Sequence, residues 1–73
     1  MRTIVYEIEG MHCEGCASVV QALLKRSDGV REAAVSYAKR EARVRFDPAL
    51  ASEGALADAI SRLGYRVAGR RPG

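Results

Sequence analysis

An α+β sandwich, two helices covering one face of a four-stranded antiparallel sheet, is the fold class that this 73-residue sequence predicts. Three observations predict it. Apolar residues switch between a period of two and helical spacing in the order strand, helix, strand, strand, helix, strand. Turn-forming residues stand at the junctions: Gly10, "SDG", "AKRE", Asp47-Pro48 and Gly64. The length allows one domain, spanning 1–73, with a modest core and little room for a cleft holding several catalytic groups.

The first strand is "TIVYEIE". Ile4, Tyr6 and Ile8 fall on one side, Thr3, Val5, Glu7 and Glu9 on the other, and Gly10 ends the run. A helix is expected from Cys16 to about Arg26, with Ala17, Val20, Leu23 and Leu24 on its apolar face and Gln21, Lys25 and Arg26 pointing away. Gly29 suits the left-handed position that stops it. "VREAAVSY" reads as the second strand, with Val35 and Tyr37 on one face. The third, "EARVRFD", alternates cleanly: Ala42, Val44 and Phe46 inward; Glu41, Arg43, Arg45 and Asp47 outward. Ser52 is a plausible N-cap for the second helix, and Glu53 in its first turn favours the dipole. Leu56, Ala59, Ile60 and Leu63 then recur at i, i+3, i+4 and i+7, and Gly64 closes the helix. "YRVAG" is a short last strand and "RRPG" a frayed tail. This order is that of the ferredoxin-like split βαβ fold. The two halves share a layout but no convincing repeat.

The composition is globular, with 48% hydrophobic and 29% charged residues and no low-complexity tract. The net charge of +3 is a mild bias, because Lys and Arg alternate with Glu and Asp along most of the chain. Nucleic-acid domains carry denser basic stripes. Base-stacking sheets also need exposed aromatics, whereas Tyr6 and Phe46 fall on the side assigned to the core. No stretch approaches the roughly 20 apolar residues of a membrane span. The N-terminus has no apolar h-region or cleavage site, so the expected compartment is the cytosol, where thiols stay reduced. Starting with Met and ending just past its last strand, the sequence reads as a complete protein; an excised domain of a transporter stays open.

"GMHCEGC", Gly10 to Cys16, holds both cysteines and the only histidine. On the outline above, Cys13 lies in the loop after the first strand and Cys16 opens the first helix. The spacing lets the two thiols converge. Unpaired N–H groups and the positive dipole end of a helix favour thiolate over thiol. Soft thiolates select Cu(I), Zn(II) and Hg(II). A structural zinc site normally takes four ligands, and two cysteines with one histidine cannot supply three thiolates and an imidazole. Two thiolates suit ions content with two-coordination, Cu(I) and Hg(II), and leave them open to a third thiolate. A redox dithiol, a structural disulfide and half of a zinc site completed by a second chain remain as other uses of the pair. No His–Asp–Ser arrangement accompanies the cysteines, so an enzyme is not expected.

These residues resemble the GMxCxxC motif of the heavy-metal-associated domain family. "DGV" before the second strand, "VSY" within it and "LGY" after the second helix agree, so the resemblance runs from Thr3 to about Val67. It implies that Cys13 and Cys16 are the metal-binding pair. Met11 matches a methionine that packs beneath the loop and is usually no ligand. Gly10 matches a glycine that lets the loop bend away. Tyr65 matches a tyrosine that shields the site in bacterial copper chaperones. His12 departs from the commoner Thr or Ser and is a candidate third ligand or proton donor. Glu14 is expected to be exposed, although some zinc- and cadmium-transport domains use an acid beside their cysteines. The function implied is that of a cytosolic Cu(I) chaperone, passing copper by ligand exchange to the metal-binding domain of a metal-transporting P-type ATPase. Lys25, Arg26 and Arg66 would steer an acidic partner. A monomer is expected, with a metal-bridged dimer open, and Hg(II) or Zn(II) resistance is the alternative.

Overall fold

The computed structural model describes residues 1–73. Its elements are β1 (Arg2–Glu9), α1 (Glu14–Arg26), β2 (Val30–Ser36), β3 (Glu41–Phe46), α2 (Glu53–Arg62) and β4 (Arg66–Pro72). The strands form one antiparallel sheet in the order β2-β3-β1-β4. The expected α+β, ferredoxin-like architecture is what the chain adopts.

The alternation in β1 and β3 sets the core. Ile4, Tyr6 and Ile8 lie beside Ala42, Val44 and Phe46, through register pairs such as Ile4 with Val44 and Tyr6 with Ala42. Ala33 of β2 extends this face. Ala17, Val20 and Leu24 of α1 and Leu56 and Ile60 of α2 close over it, and Met11 fills the end beneath the loop. No polar side chain is buried without a partner. Tyr6 shows how the one deep hydroxyl is satisfied: it donates to the Glu53 carbonyl at 2.7 Å. Burial, with the nearby Glu53 charge second, pushes that phenol up to about 12. Because Tyr6 and Phe46 lie under the helices, neither offers a face for a base to stack on.

Several local expectations change. Helix α1 starts at Glu14, so Cys16 is its third residue rather than its opening one, and Cys13 is the N-cap. Gln21 does not point away: its side-chain oxygen accepts the Val35 N–H at 3.1 Å, on the outer edge of β2. Leu63, at the C-cap of α2, is 38% exposed, and the half-buried Ala57 packs against the core. Val5 is buried although it faces away from the helices. The cause is the tail, which is not frayed. Residues Arg70 to Pro72 continue β4 against Tyr6, Val5 and Ile4, and Gly73 donates to the Thr3 carbonyl at 3.1 Å. Arg71 fastens this end, reaching Glu7 at 3.0 Å and Glu41 at 2.6 Å across three strands.

Ser52 caps α2 as expected, accepting the Ala55 N–H at 3.1 Å. The turn before β2 needs glycine: Gly29 has φ +84, and a Cβ there would lie 2.8 Å from Leu50 Cβ and 3.1 Å from the Ala51 nitrogen. Gly29→Ala should therefore cost about 1–3 kcal/mol. Gly54, inside α2 with open space around it, should behave oppositely. Gly54→Ala should stabilise by about 0.5–1 kcal/mol. Chemical denaturation of both variants checks the two signs.

Candidate metal centre

The site is built where β1, a central strand, hands the chain to α1. Gly10 takes φ +100, turning the chain out of the sheet, and the Tyr65 ring lies across it, 3.5 Å from where a Cβ would stand. Met11 then turns inward and is 4% exposed. This core position anchors the base of the loop and is where the resemblance put the methionine. His12 and Glu14 are exposed. His12 matters through its backbone, whose carbonyl accepts the Tyr37 hydroxyl at 2.9 Å.

Cys13 is extended, with φ −160 and ψ 169, and its side chain caps no helix N–H. Its carbonyl accepts the Cys16 N–H at 3.1 Å. The first helical turn thus draws the two residues together while the Cys13 sulfur stays free. The sulfurs lie 3.6 Å apart and both thiols are free. A disulfide would need about 2.05 Å. At thiolate bond lengths of about 2.3 Å, both can reach one ion. Cys13 is exposed and Cys16 half-buried against the core, so a bound ion would sit at the surface with one flank protein and one flank solvent. No group of three or more His, Cys, Asp or Glu side chains suited to a metal forms anywhere in the chain. The donor set fits a soft ion of low coordination number.

Cys16 is the activated thiol. It is held down from its ordinary 9.0 to about 7, first by a hydrogen bond from the Tyr65 hydroxyl, then by the His12 backbone N–H, and then by Cys13. The same bond pushes the Tyr65 phenol up, so Tyr65 keeps its proton and remains a donor. Besides the helix N-terminus that the sequence offered, hydrogen bonds from the loop and from the residue before β4 favour the thiolate.

The basic residues sort differently from expectation. Lys25 and Arg26 close α1, roughly 18 Å along its axis from Cys13 at 1.5 Å per residue. They belong to the opposite end of the molecule. Arg66 does stand at the loop end, 3.6 Å from Glu9. Arg40 stands there too: its carbonyl accepts the Ile8 N–H at 2.8 Å, so the β2–β3 turn carrying Lys39 and Arg40 sits by the end of β1. The sequence marked "AKRE" as a turn, but neither its place beside the end of β1 nor the Tyr37 bond follows from a local pattern.

A thiolate favoured in the folded state adds stability that is full above pH 9 and lost as pH falls through 7. Metal-free protein should therefore gain stability between these values, and Tyr65→Phe should flatten that rise. Alkylation of Cys16 should follow a midpoint near 7, moving toward 9 in Tyr65→Phe. An unchanged midpoint would remove Tyr65 as the cause.

A sequence model described as the heavy-metal-associated domain matches residues 5–66. The copper-exporting P-type ATPase of Bacillus subtilis (strain 168) is 36% identical over 62 residues, which is 85% of this chain and 8% of the ATPase. The mercuric reductase of Serratia marcescens is 43% identical over 61 residues, 84% of this chain and 13% of the reductase. The chain thus spans only a small fraction of these relatives, whose matched segments are domains of enzymes. The solved structure of a CopZ metallochaperone superposes with a TM-score of 0.85 at 32% identity, covering 89% of this chain and 97% of that one. With the GMxCxxC motif on the strand-to-helix loop of a βαββαβ sandwich, this chain belongs to the heavy-metal-associated domain family.

Proposed function

We propose that the chain is a cytosolic Cu(I) carrier that takes up one ion between Cys13 and Cys16 and delivers it to a metal-binding domain of a copper-transporting P-type ATPase. The observation that carries this reading is the pair of reduced sulfurs 3.6 Å apart with no third ligand grouped around them. Such a pair holds a soft ion firmly yet leaves it accessible. An incoming partner thiolate forms a bond to copper as one of the two bonds here breaks, and Cu(I) keeps its oxidation state throughout. Cys16, with its pKa lowered to about 7, is already partly thiolate near neutral pH and needs little help to ligate; Tyr65 keeps its proton. The likeness to the CopZ metallochaperone supports carriage rather than catalysis. Arg66, with Lys39 and Arg40 on the neighbouring turn, offers a positive rim for an acidic partner surface, which would raise the encounter rate more than the affinity.

A second reading has its own support. The 43% identity to the mercuric reductase segment favours capture of Hg(II), which the same two thiolates suit. Titrating reduced, metal-free protein without oxygen, with Cu(I) held by a competing chelator, separates the two. One Cu(I) per chain, held far more tightly than micromolar, supports the copper carrier. Weak or non-stoichiometric uptake rejects it in favour of Hg(II) or Zn(II).

Cys13→Ser and Cys16→Ser should each abolish tight Cu(I) binding. Cys13→Ser should leave folding stability within about 0.5 kcal/mol, because that side chain is exposed. Chelator competition and thermal unfolding on the same samples check both halves. Near-wild-type affinity in either variant would sink the assignment.

A further inference from the structure

The thiol loop is held from one side by Tyr65, as described. On the other side stands Tyr37, one residue beyond the end of β2. Its ring is half-buried and packs on the core cluster, so the hydroxyl is delivered from a fixed base. That hydroxyl donates to the His12 carbonyl at 2.9 Å, across 25 residues of sequence. The turn behind it is fixed too. Arg40 takes φ 54, its N–H bonds the Tyr37 carbonyl at 3.2 Å, and its carbonyl takes the Ile8 N–H at 2.8 Å. The β2–β3 turn is therefore riveted to β1 two residues before Gly10.

The consequence falls on one residue. The His12 C=O is held by Tyr37, and its backbone N–H is one of the groups that favour the Cys16 thiolate. The His12 carbonyl belongs to the peptide plane that leads into Cys13. Fixing that plane sets the direction in which the chain enters Cys13 and so narrows the range of positions its sulfur takes against Cys16. Met11 holds the stretch before it in the core, and the Cys13 carbonyl is tied into the first turn of α1. Without Tyr37, the peptide between His12 and Cys13 loses the anchor on its carbonyl side and is left with the Cys13 N–H toward the Cys16 sulfur alone.

We propose that Tyr37 is a positioning residue for the metal loop: by holding the His12 carbonyl it keeps Cys13 set against Cys16 and slows opening of the loop, and hence release of a bound ion. The release half rests on the metal-carrier reading above; the positioning half does not.

Two substitutions separate the hydroxyl from the ring. Tyr37→Phe removes only the hydrogen bond, and Tyr37→Leu removes the ring as well. In metal-free protein, amide hydrogen exchange from His12 to Cys16 should quicken about two- to fivefold in Tyr37→Phe, the size expected for one solvent-reachable hydrogen bond. Exchange in the centre of β1 and β3 should stay unchanged. Cu(I) release to a chelator in excess should quicken by a similar factor, and Tyr37→Leu should match Tyr37→Phe in both readouts at the loop. Exchange in Tyr37→Phe that stays at the wild-type rate, or that quickens evenly over the sheet, would overturn the proposal. So would faster exchange with unchanged release, or a change confined to Tyr37→Leu. If wild-type protein takes up no Cu(I), the carrier reading fails by itself, and the exchange comparison alone decides whether Tyr37 positions the loop.

Discussion

The thiol pair depends on the burial of Met11 beneath it. A surface loop of this length, leaving a central strand and entering a helix, would otherwise sample many paths. Sinking one apolar side chain into the core removes most of them at the loop's base. Burying a side chain of this size contributes about 1.5–3 kcal/mol. The polar contacts above it are individually weaker and have a different task. They orient backbone and sulfur once the base is fixed: the Cys13 carbonyl toward the Cys16 N–H, the His12 carbonyl toward Tyr37, and the Tyr65 hydroxyl toward Cys16.

How much of this was legible in the sequence follows from how local each cause is. The alternation in "TIVYEIE" and "EARVRFD" reports a sheet with one covered face, because a period of two has no other simple meaning. The cysteine spacing likewise places two sulfurs together at any helix start. The start of α1 was less legible. Cys13 occupies the N-cap without using its side chain, so no Ser, Thr, Asp or Asn marks the boundary. The final strand was legible only as far as Gly69. Arg70, Arg71 and Pro72 have no strand pattern of their own, and what makes them a strand is the partner already present in β1. Leu63 fits the helical apolar spacing but falls at the cap, where the turn carries it out to solvent. The Tyr37 bond is a tertiary fact, and spacing within a segment carries no trace of it. The distance of Lys25 from the sulfurs was legible, since it follows from the helical rise alone.

The outer face and the edges follow a separate logic. Glu7, Glu41, Arg43, Arg45 and Arg71 cover the side of the sheet away from the helices, and Arg71 bridges acids on β1 and β3. These pairs are half-exposed, and each is worth at most about 1 kcal/mol. Their clearer role is to keep an uncovered sheet face charged and free of self-association. The two edge strands are protected by different means. Gln21 occupies the Val35 N–H on β2, and Pro72 removes an N–H from β4.

The meeting of the chain ends has a mechanical meaning. Gly73 bonds back to Thr3, so both termini emerge beside one another where β1 begins, while the sulfurs lie where β1 ends. A strand of eight residues, about 26 Å at 3.3 Å per residue, separates the two poles. Any tether attached at either terminus would therefore leave the metal loop facing outward, like a bead held by its back. Copies strung in tandem could each swing their thiols toward a common target. The linker would set only how far they reach, not which side they present.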